Sequence, residues 1–371
     1  MTAAVPLGAS PADGAATLKT LLDVWDVAAE RMIITVARRL VRGITEDGWA
    51  ERKAREVLGL RDELRAITGR LDITAPDLAE QALAEAYTIG QRVAATLGRP
   101  LQSRPELVDT LARRFVGQLT GAHLPVIRAH EDLYQRVVRD AELLMQTGTI
   151  VRRDAVAQVV DRLLAQGKDR FPDAAGREWH LDTYARMAGR TVAGQAVVQG
   201  QLDQMVAEGR DVVKISDSPR ECKLCRPWEG RLLSITGTSV GQELDGHHVG
   251  ATVAAARAGG LWHPNCTHRA DPFVPGLSRV FPAESNPEGY KQQQELRRLE
   301  RRALPQAPRR HPRELRRDPP ARRGHRAEPT PRPRTSGRAD HHAPRRRAAA
   351  RPRAPAPRGR RRAAHHGPAP P

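Results

Sequence analysis

All three cysteines of this 371-residue chain fall in one stretch, as Cys222-Lys-Leu-Cys225 and, further on, His263-Pro-Asn-Cys266-Thr-His268. Two thiols at C-x2-C spacing grip one metal ion from a single tight turn, and a second pair, H-x2-C or C-x-H, closes a tetrahedron around zinc. Cys222, Cys225 and Cys266 would bind as thiolates, and His263 or His268 would supply a neutral ring nitrogen. Five candidates therefore compete for four places. With four protein ligands the site is closed, so the ion would hold the fold and perform no hydrolysis; in zinc-finger peptides such binding contributes roughly 10–16 kcal/mol apparent. The competing reading of the same residues is free, partly buried thiols beside surface or hydrogen-bonded histidines.

The elements that must carry these ligands change character near Gly209. After it, Asp211–Ser216 and Arg231–Ile235 are short and aliphatic, as strands are, and the C-x2-C lies in the proline-bearing turn between them. Ala251–Ala258 reads as one helix before Gly259-Gly260 releases the chain into the histidine segment. These features predict a small α+β module over residues 210–285, zinc-knuckle-like and stapled by its metal. Before Gly209 the apolar residues recur at three and four, as in Leu18, Leu21, Leu22, Trp25, Met32, Ile33, Val36 and Leu40. The same period runs through Val57–Leu71, Leu78–Leu97, Glu106–Leu119, Glu131–Gln146, Arg153–Gln166 and Glu178–Glu208. Trp179, Tyr184 and Met187 are spaced as one buried helical face. The fold class is mainly α: a disordered start over 1–14, helical regions over 15–100 and 101–209 separated near Gly98-Arg-Pro100, the module, and a short charged helix over 286–302.

The chain ends differently. Of the net charge of +18, residues 303–371 carry +16, from 20 Arg, no Lys and four acids, so residues 1–302 are nearly balanced. That tail holds 15 of the 29 prolines, two leucines and no Val, Ile, Met, Phe, Tyr, Trp or Cys. It cannot bury enough apolar surface to offset chain entropy and reads as disordered. An arginine-rich segment of this kind binds DNA or RNA through phosphates, non-specifically and with steep salt dependence, and has no aromatic residue to stack on bases. A composition of Arg, Pro, Ala, His and Gly, all with GC-rich codons, is what a GC-rich gene read out of frame from about residue 303 would produce, and such a frameshift is preferred here to a nucleic-acid-binding tail. Nothing at Met1–Pro11 resembles an export signal, and no apolar run approaches the ~20 residues of a membrane span. Three cysteines in C-x2-C company favour a reducing compartment and a metal over disulfides, so the reading is a soluble chain, cytoplasmic when made.

Four motifs in order carry a more specific signal: Asp173-Ala-Ala-Gly-Arg-Glu-Trp179, Tyr184-Ala-Arg-Met-Ala-Gly-Arg-Thr191, Cys222-Lys-Leu-Cys-Arg-Pro-Trp-Glu-Gly-Arg-Leu-Leu-Ser234, and His263-Pro-Asn-Cys-Thr-His268 with Pro275-Gly276. Together they resemble the phage minor capsid protein 2 family, and Ala86-Tyr-Thr-Ile-Gly90 is similar to that family's Ala-Tyr-x-x-Gly step. The resemblance covers nearly all of residues 15–300. It implies a structural, non-enzymatic component of a tailed-phage or prophage head, present in the virion and, during assembly, in the host bacterial cytoplasm. Its implied partners are portal and capsid proteins, with neither membrane nor small-molecule substrate. Related head-morphogenesis proteins carry Cys at the last position of the His-Pro-x-Cys segment, which implies His268 over His263 as the fourth ligand. The chain departs from the family at Pro305, where the expected charged helix stops.

Enzymatic readings start from weaker patterns. Gly237-Thr-Ser239-Val-Gly241 matches the nucleophile elbow G-x-S-x-G, which needs a core strand feeding a helix in a large α/β sheet; a flexible loop is the expectation here. A zinc deaminase would need H-x-E before its cysteines, which is missing, as is a P-loop. The runner-up is a metal-dependent nuclease or toxin-like C-terminal module, with Asp245, His247, His248 and His263 around a catalytic ion.

Overall fold

The computed structural model describes residues 8–303, save 147, 149, 219–221, 265 and 281–285. The Arg/Pro-rich tail therefore lies outside the described residues.

Helix α1 (Lys19–Val41) follows its apolar stripe and buries Leu21, Leu22, Trp25, Met32, Val36 and Leu40. A 3-10 turn over Pro11–Leu18 leads into it, opened by a capping box in which Ser10 and Asp13 satisfy each other's backbone amides. Residues 8–14 are thus ordered, contrary to the disordered start expected for 1–14. Ala9 is fully buried and its amide donates to Gln201 Oε1 at 2.5 Å, a partner 192 residues away that local reading cannot see. The short α2 (Trp49–Arg55) is also new. It is held by Trp49, whose buried indole N–H donates to the Leu40 carbonyl.

The stripes expected over Val57–Leu71 and Leu78–Leu97 merge into one helix, α3 (Val57–Ala94), which runs through Pro76 without ending. Its buried face is continuous across the proline, through Leu71, Ala75, Ala79, Ala82 and Leu83. That shared burial outweighs the ~3 kcal/mol an interior proline typically costs. Helices α4 (Pro105–Thr120), α5 (His123–Met145) and α6 (Arg152–Ala165) follow, with Arg61 of α3 forked onto buried Glu131 of α5 at 2.5 and 2.8 Å.

The region expected as helix from Glu178 begins instead with a two-stranded hairpin, β1 (Phe171–Pro172) and β2 (Glu178–Trp179). Asp173 organises it. Its carboxylate accepts from the amides of Ala175 and Arg177, from Arg177 Nε and from Trp179 Nε1. Trp179 is therefore on a strand, meeting Tyr184 edge-on at 5.8 Å, and not on one helical face with Tyr184 and Met187. Those last two lie on α7 (Leu181–Ala207).

Helices α3 and α7 make the most extensive packing among the described elements. The reason is two glycines facing each other's backbone. A Cβ on Gly90 would stand 1.8 Å from the Val197 carbonyl oxygen, and one on Gly200 would stand 2.0 Å from that of Tyr87. At this crossing only hydrogen fits, and Tyr87 beside it donates its hydroxyl to Asp203 at 2.7 Å.

Beyond α7 comes a five-stranded sheet of β3 (Val212–Ile215), β4 (Leu232–Ser234), β5 (Glu243–Leu244), β6 (His247–Thr252) and β7 (Ala270–Pro272), in the order β5-β6-β4-β3-β7. Neighbours are antiparallel except β4 and β6. Helix α8 (Val253–Ala258) is capped by Thr252, whose hydroxyl accepts from the Ala255 amide, and α9 (Pro287–Ala303) closes the described chain. One core runs through the helices from Ala9 to Val197, while a second joins Val198, Leu202 and Met205 of α7 to Val213, Leu233 and the three cysteines.

Candidate metal centre

The C-x2-C turn leaves the end of β3 and returns at β4. The amides of Cys225 and Arg226 both donate to the Cys222 carbonyl, so the turn is tight and both thiols project from it. A 3-10 turn at Arg226–Trp228 follows, and its Trp228 packs half-buried against the second core. On the other side of the site, α8 ends at Gly259-Gly260, and Trp262 fixes the next segment by donating its indole N–H to the His268 carbonyl at 2.8 Å.

These two segments bring all five expected residues together. Cys225 Sγ stands 3.6 Å from Cys266 Sγ, Cys222 Sγ stands 2.9 Å from His263 Nε2, and Cys266 Sγ stands 3.3 Å from His268 Nδ1. The donors form two overlapping triads, Cys222–Cys225–His263 and Cys225–Cys266–His268, each with its donor atoms within 4.8 Å of one another. Cys225 belongs to both and has no exposure. Two sulfurs bound tetrahedrally at ~2.3 Å from one zinc stand roughly 3.8 Å apart, and a sulfur and an imidazole nitrogen roughly 3.5 Å apart. The Cys225–Cys266 and Cys266–His268 separations fit that edge length, so the donor set suits the ion that the spacing implies.

Each histidine is oriented by its other ring nitrogen. His263 donates Nδ1–H to the Pro264 carbonyl at 2.8 Å, leaving Nε2 toward Cys222. His268 bonds through Nε2 to the carboxylate of Glu229, leaving Nδ1 toward Cys266. A carboxylate behind a ligating imidazole is a recurrent support of metal sites. Glu229 is buried, and the sequence reading did not single it out. Its signal was its place within the cysteine motif, Cys-Arg-Pro-Trp-Glu229, and a buried acid at such a place calls for a partner.

The electrostatics of the thiols follow from their contact. The Cys225 thiol, donating to Cys266 and buried, is pushed well above the usual thiol range. The Cys266 thiol, receiving that hydrogen bond and facing His268, is drawn below the usual thiol range. Burial pulls the His268 imidazole down, but Cys266 and Glu229 outweigh it and raise it. A thiolate is the form of cysteine that binds a metal.

The nuclease constellation is not assembled. His263 is committed to Cys222, and neither triad among the described residues includes Asp245, His247 or His248. Asp245 and Gly246, at φ 51° and 75°, form the two-residue turn between β5 and β6, the Asp-Gly chemistry of a tight hairpin. His248 on β6 pairs with Glu243 across that hairpin at 3.0 Å, both largely exposed. Gly237–Gly241 is likewise a structural loop. Asp211 accepts from Ser234 and Thr236 hydroxyls and from the amides of Thr236 and Ser239, so these bonds outweigh its burial and hold its carboxyl far below the usual range.

The family model for phage minor capsid protein 2 matches residues 13–311. The chain belongs to the phage minor capsid protein 2 family. No curated protein and no solved structure matches it. As a family member it carries its motifs at identifiable tasks: Asp173–Trp179 is the hairpin around one carboxylate, Gly90 is the helix crossing, and the cysteine and histidine motifs converge. Family membership supports a structural role in the phage head, and with it location in the virion and contact with other head proteins. No helix among the described residues is long and apolar enough to cross a membrane.

Proposed function

We propose that this protein acts in head assembly of a tailed phage or prophage by binding portal and capsid proteins, with a structural zinc riveting its C-terminal module and no catalytic role. The observation that carries the reading is the convergence of Cys222, Cys225, Cys266, His263 and His268, five protein donors for a four-coordinate ion, in a member of a minor capsid family. A catalytic zinc keeps a position open for water; here protein donors outnumber positions. Cys222, Cys225 and Cys266 would hold the ion with one imidazole. His268 is favoured because Glu229 fixes its ring and because its Nδ1 stands at zinc-edge distance from Cys266. The tail, with its 20 arginines, would contact packaged nucleic acid through phosphates.

Peptide mass spectrometry of purified particles from the source strain tests the assembly role. Peptides from residues 8–303 are expected in the particle; their absence, with portal and major capsid peptides present, would refute it. The C-terminal peptides settle the reading frame beyond residue 303, and a different frame there would remove the arginine-rich tail.

A further inference from the structure

Two cavities, of about 610 and 240 Å³, adjoin along α7 and share Thr191, Gln195, Trp262 and His263 in their walls. The larger is a groove between α4 and α7, walled at one end by the segment that carries the metal ligands. Its lining is mixed: Leu107 and Leu111 from α4, Met187 from α7 and Leu261 supply apolar surface, and Gln118, Gln195 and Gln199 supply neutral polar groups. Its charge is of one sign. Arg114, Arg190, Arg257 and Arg297 line the two cavities, and no Asp or Glu does so among the described residues. Arg114 and Arg190 are exposed and make no ion pair among the described residues, whereas Arg257 is fixed by Gln199 at 2.6 Å and by the Trp262 ring at 5.1 Å.

We infer that this groove docks an acidic amphipathic helix of a partner protein, its apolar residues on the Leu107–Leu111–Met187 floor and its carboxylates on Arg114 and Arg190. Apolar side chains spaced along a groove between two helices receive a helix through anchors at three and four, and the exposed cations Arg114, in the groove, and Arg190, in the adjoining cavity, select the sign of the partner. The chain's own tail is excluded by charge, since it carries 20 arginines against four acids. Nucleic acid is disfavoured because phosphates would leave the floor uncovered. Trp262, 6% exposed and covered by Arg257, offers no open face for a base. The inference deepens the assembly reading by naming a surface and the chemistry of its partner.

The test uses the full chain and a benzophenone-bearing Glu/Leu amphipathic peptide. Photo-crosslinks are expected on α4, on Met187 and on the 260–264 segment, and Arg114→Glu/Arg190→Glu should weaken binding by about tenfold. Crosslinks confined to residues beyond 303, equal binding by the double variant, or equal binding of a Lys/Leu peptide would overturn it. So would an oligothymidine strand that loses affinity in the double variant while the peptide binds neither protein. If the charge reversal disturbs the circular dichroism spectrum, Arg114→Gln/Arg190→Gln gives the same comparison. A protein found in particles but blind to the peptide sinks the groove and leaves the assembly role standing.

Discussion

At the scale of residues, three positions carry more than their size. Asp173 collects four donors in a nine-residue hairpin, and the amide of Arg177 leads in holding its carboxyl down at about 2. A depressed carboxyl contributes stability that is complete above its unfolded value near 3.8 and is lost as pH falls through about 2. Asp173→Asn should therefore lower the melting temperature at pH 7 and flatten its fall between those two values; an unchanged acid limb would show that the charge is idle. Gly90 makes a second prediction. Gly90→Ala drives a methyl into the Val197 carbonyl and should abolish folding or lower the melting temperature sharply. Gly69→Ala, in the same helix with nothing within 4 Å, should be neutral or stabilise by up to ~1 kcal/mol. Equal effects in thermal melts would contradict the close crossing. Glu229 is the third: Glu229→Gln should weaken zinc binding roughly 10- to 100-fold in competition with a chromogenic chelator, as loss of an outer-shell partner does. Unchanged affinity would detach His268 from the ion.

At the scale of elements, the chain shows which structure is local and which is not. The apolar stripes of α1, α4, α5 and α6 were legible because amphipathic periodicity is written in consecutive residues. So were β3, β4 and α8, marked by aliphatic runs and glycine breaks. Three features were not. The 3-10 turn at Pro11–Leu18 depends on Gln201, the continuity of α3 through Pro76 depends on burial against other helices, and the β1–β2 hairpin depends on one carboxylate reaching around a turn. Each rests on a partner the local pattern cannot name. In the metal centre the ligand types and spacing were readable, while Glu229, which orients His268, became visible only when the turn after Cys225 and the 263–268 segment met. The module should accordingly depend on its ion as a unit. Chelation, or Cys225→Ser, which breaks both triads, should expose the chain after Gly209 to protease while α1 to α6 resist, and an unchanged digestion pattern would argue that the thiols are idle.

At the scale of the whole molecule, the helices from α1 to α7 form one core through which the module is presented. The second core links the end of α7 to the cysteines, so the state of the metal centre bears on the helix that also forms the floor of the basic groove. The measurement that bears most directly on the account is elemental analysis of the purified, reduced full-length protein beside its Cys225→Ser variant, since Cys225 belongs to both triads. One equivalent of zinc is expected in the wild type and its loss in the variant; a wild type with far less than one equivalent, or a variant that keeps its zinc, would contradict a structural zinc held through Cys225.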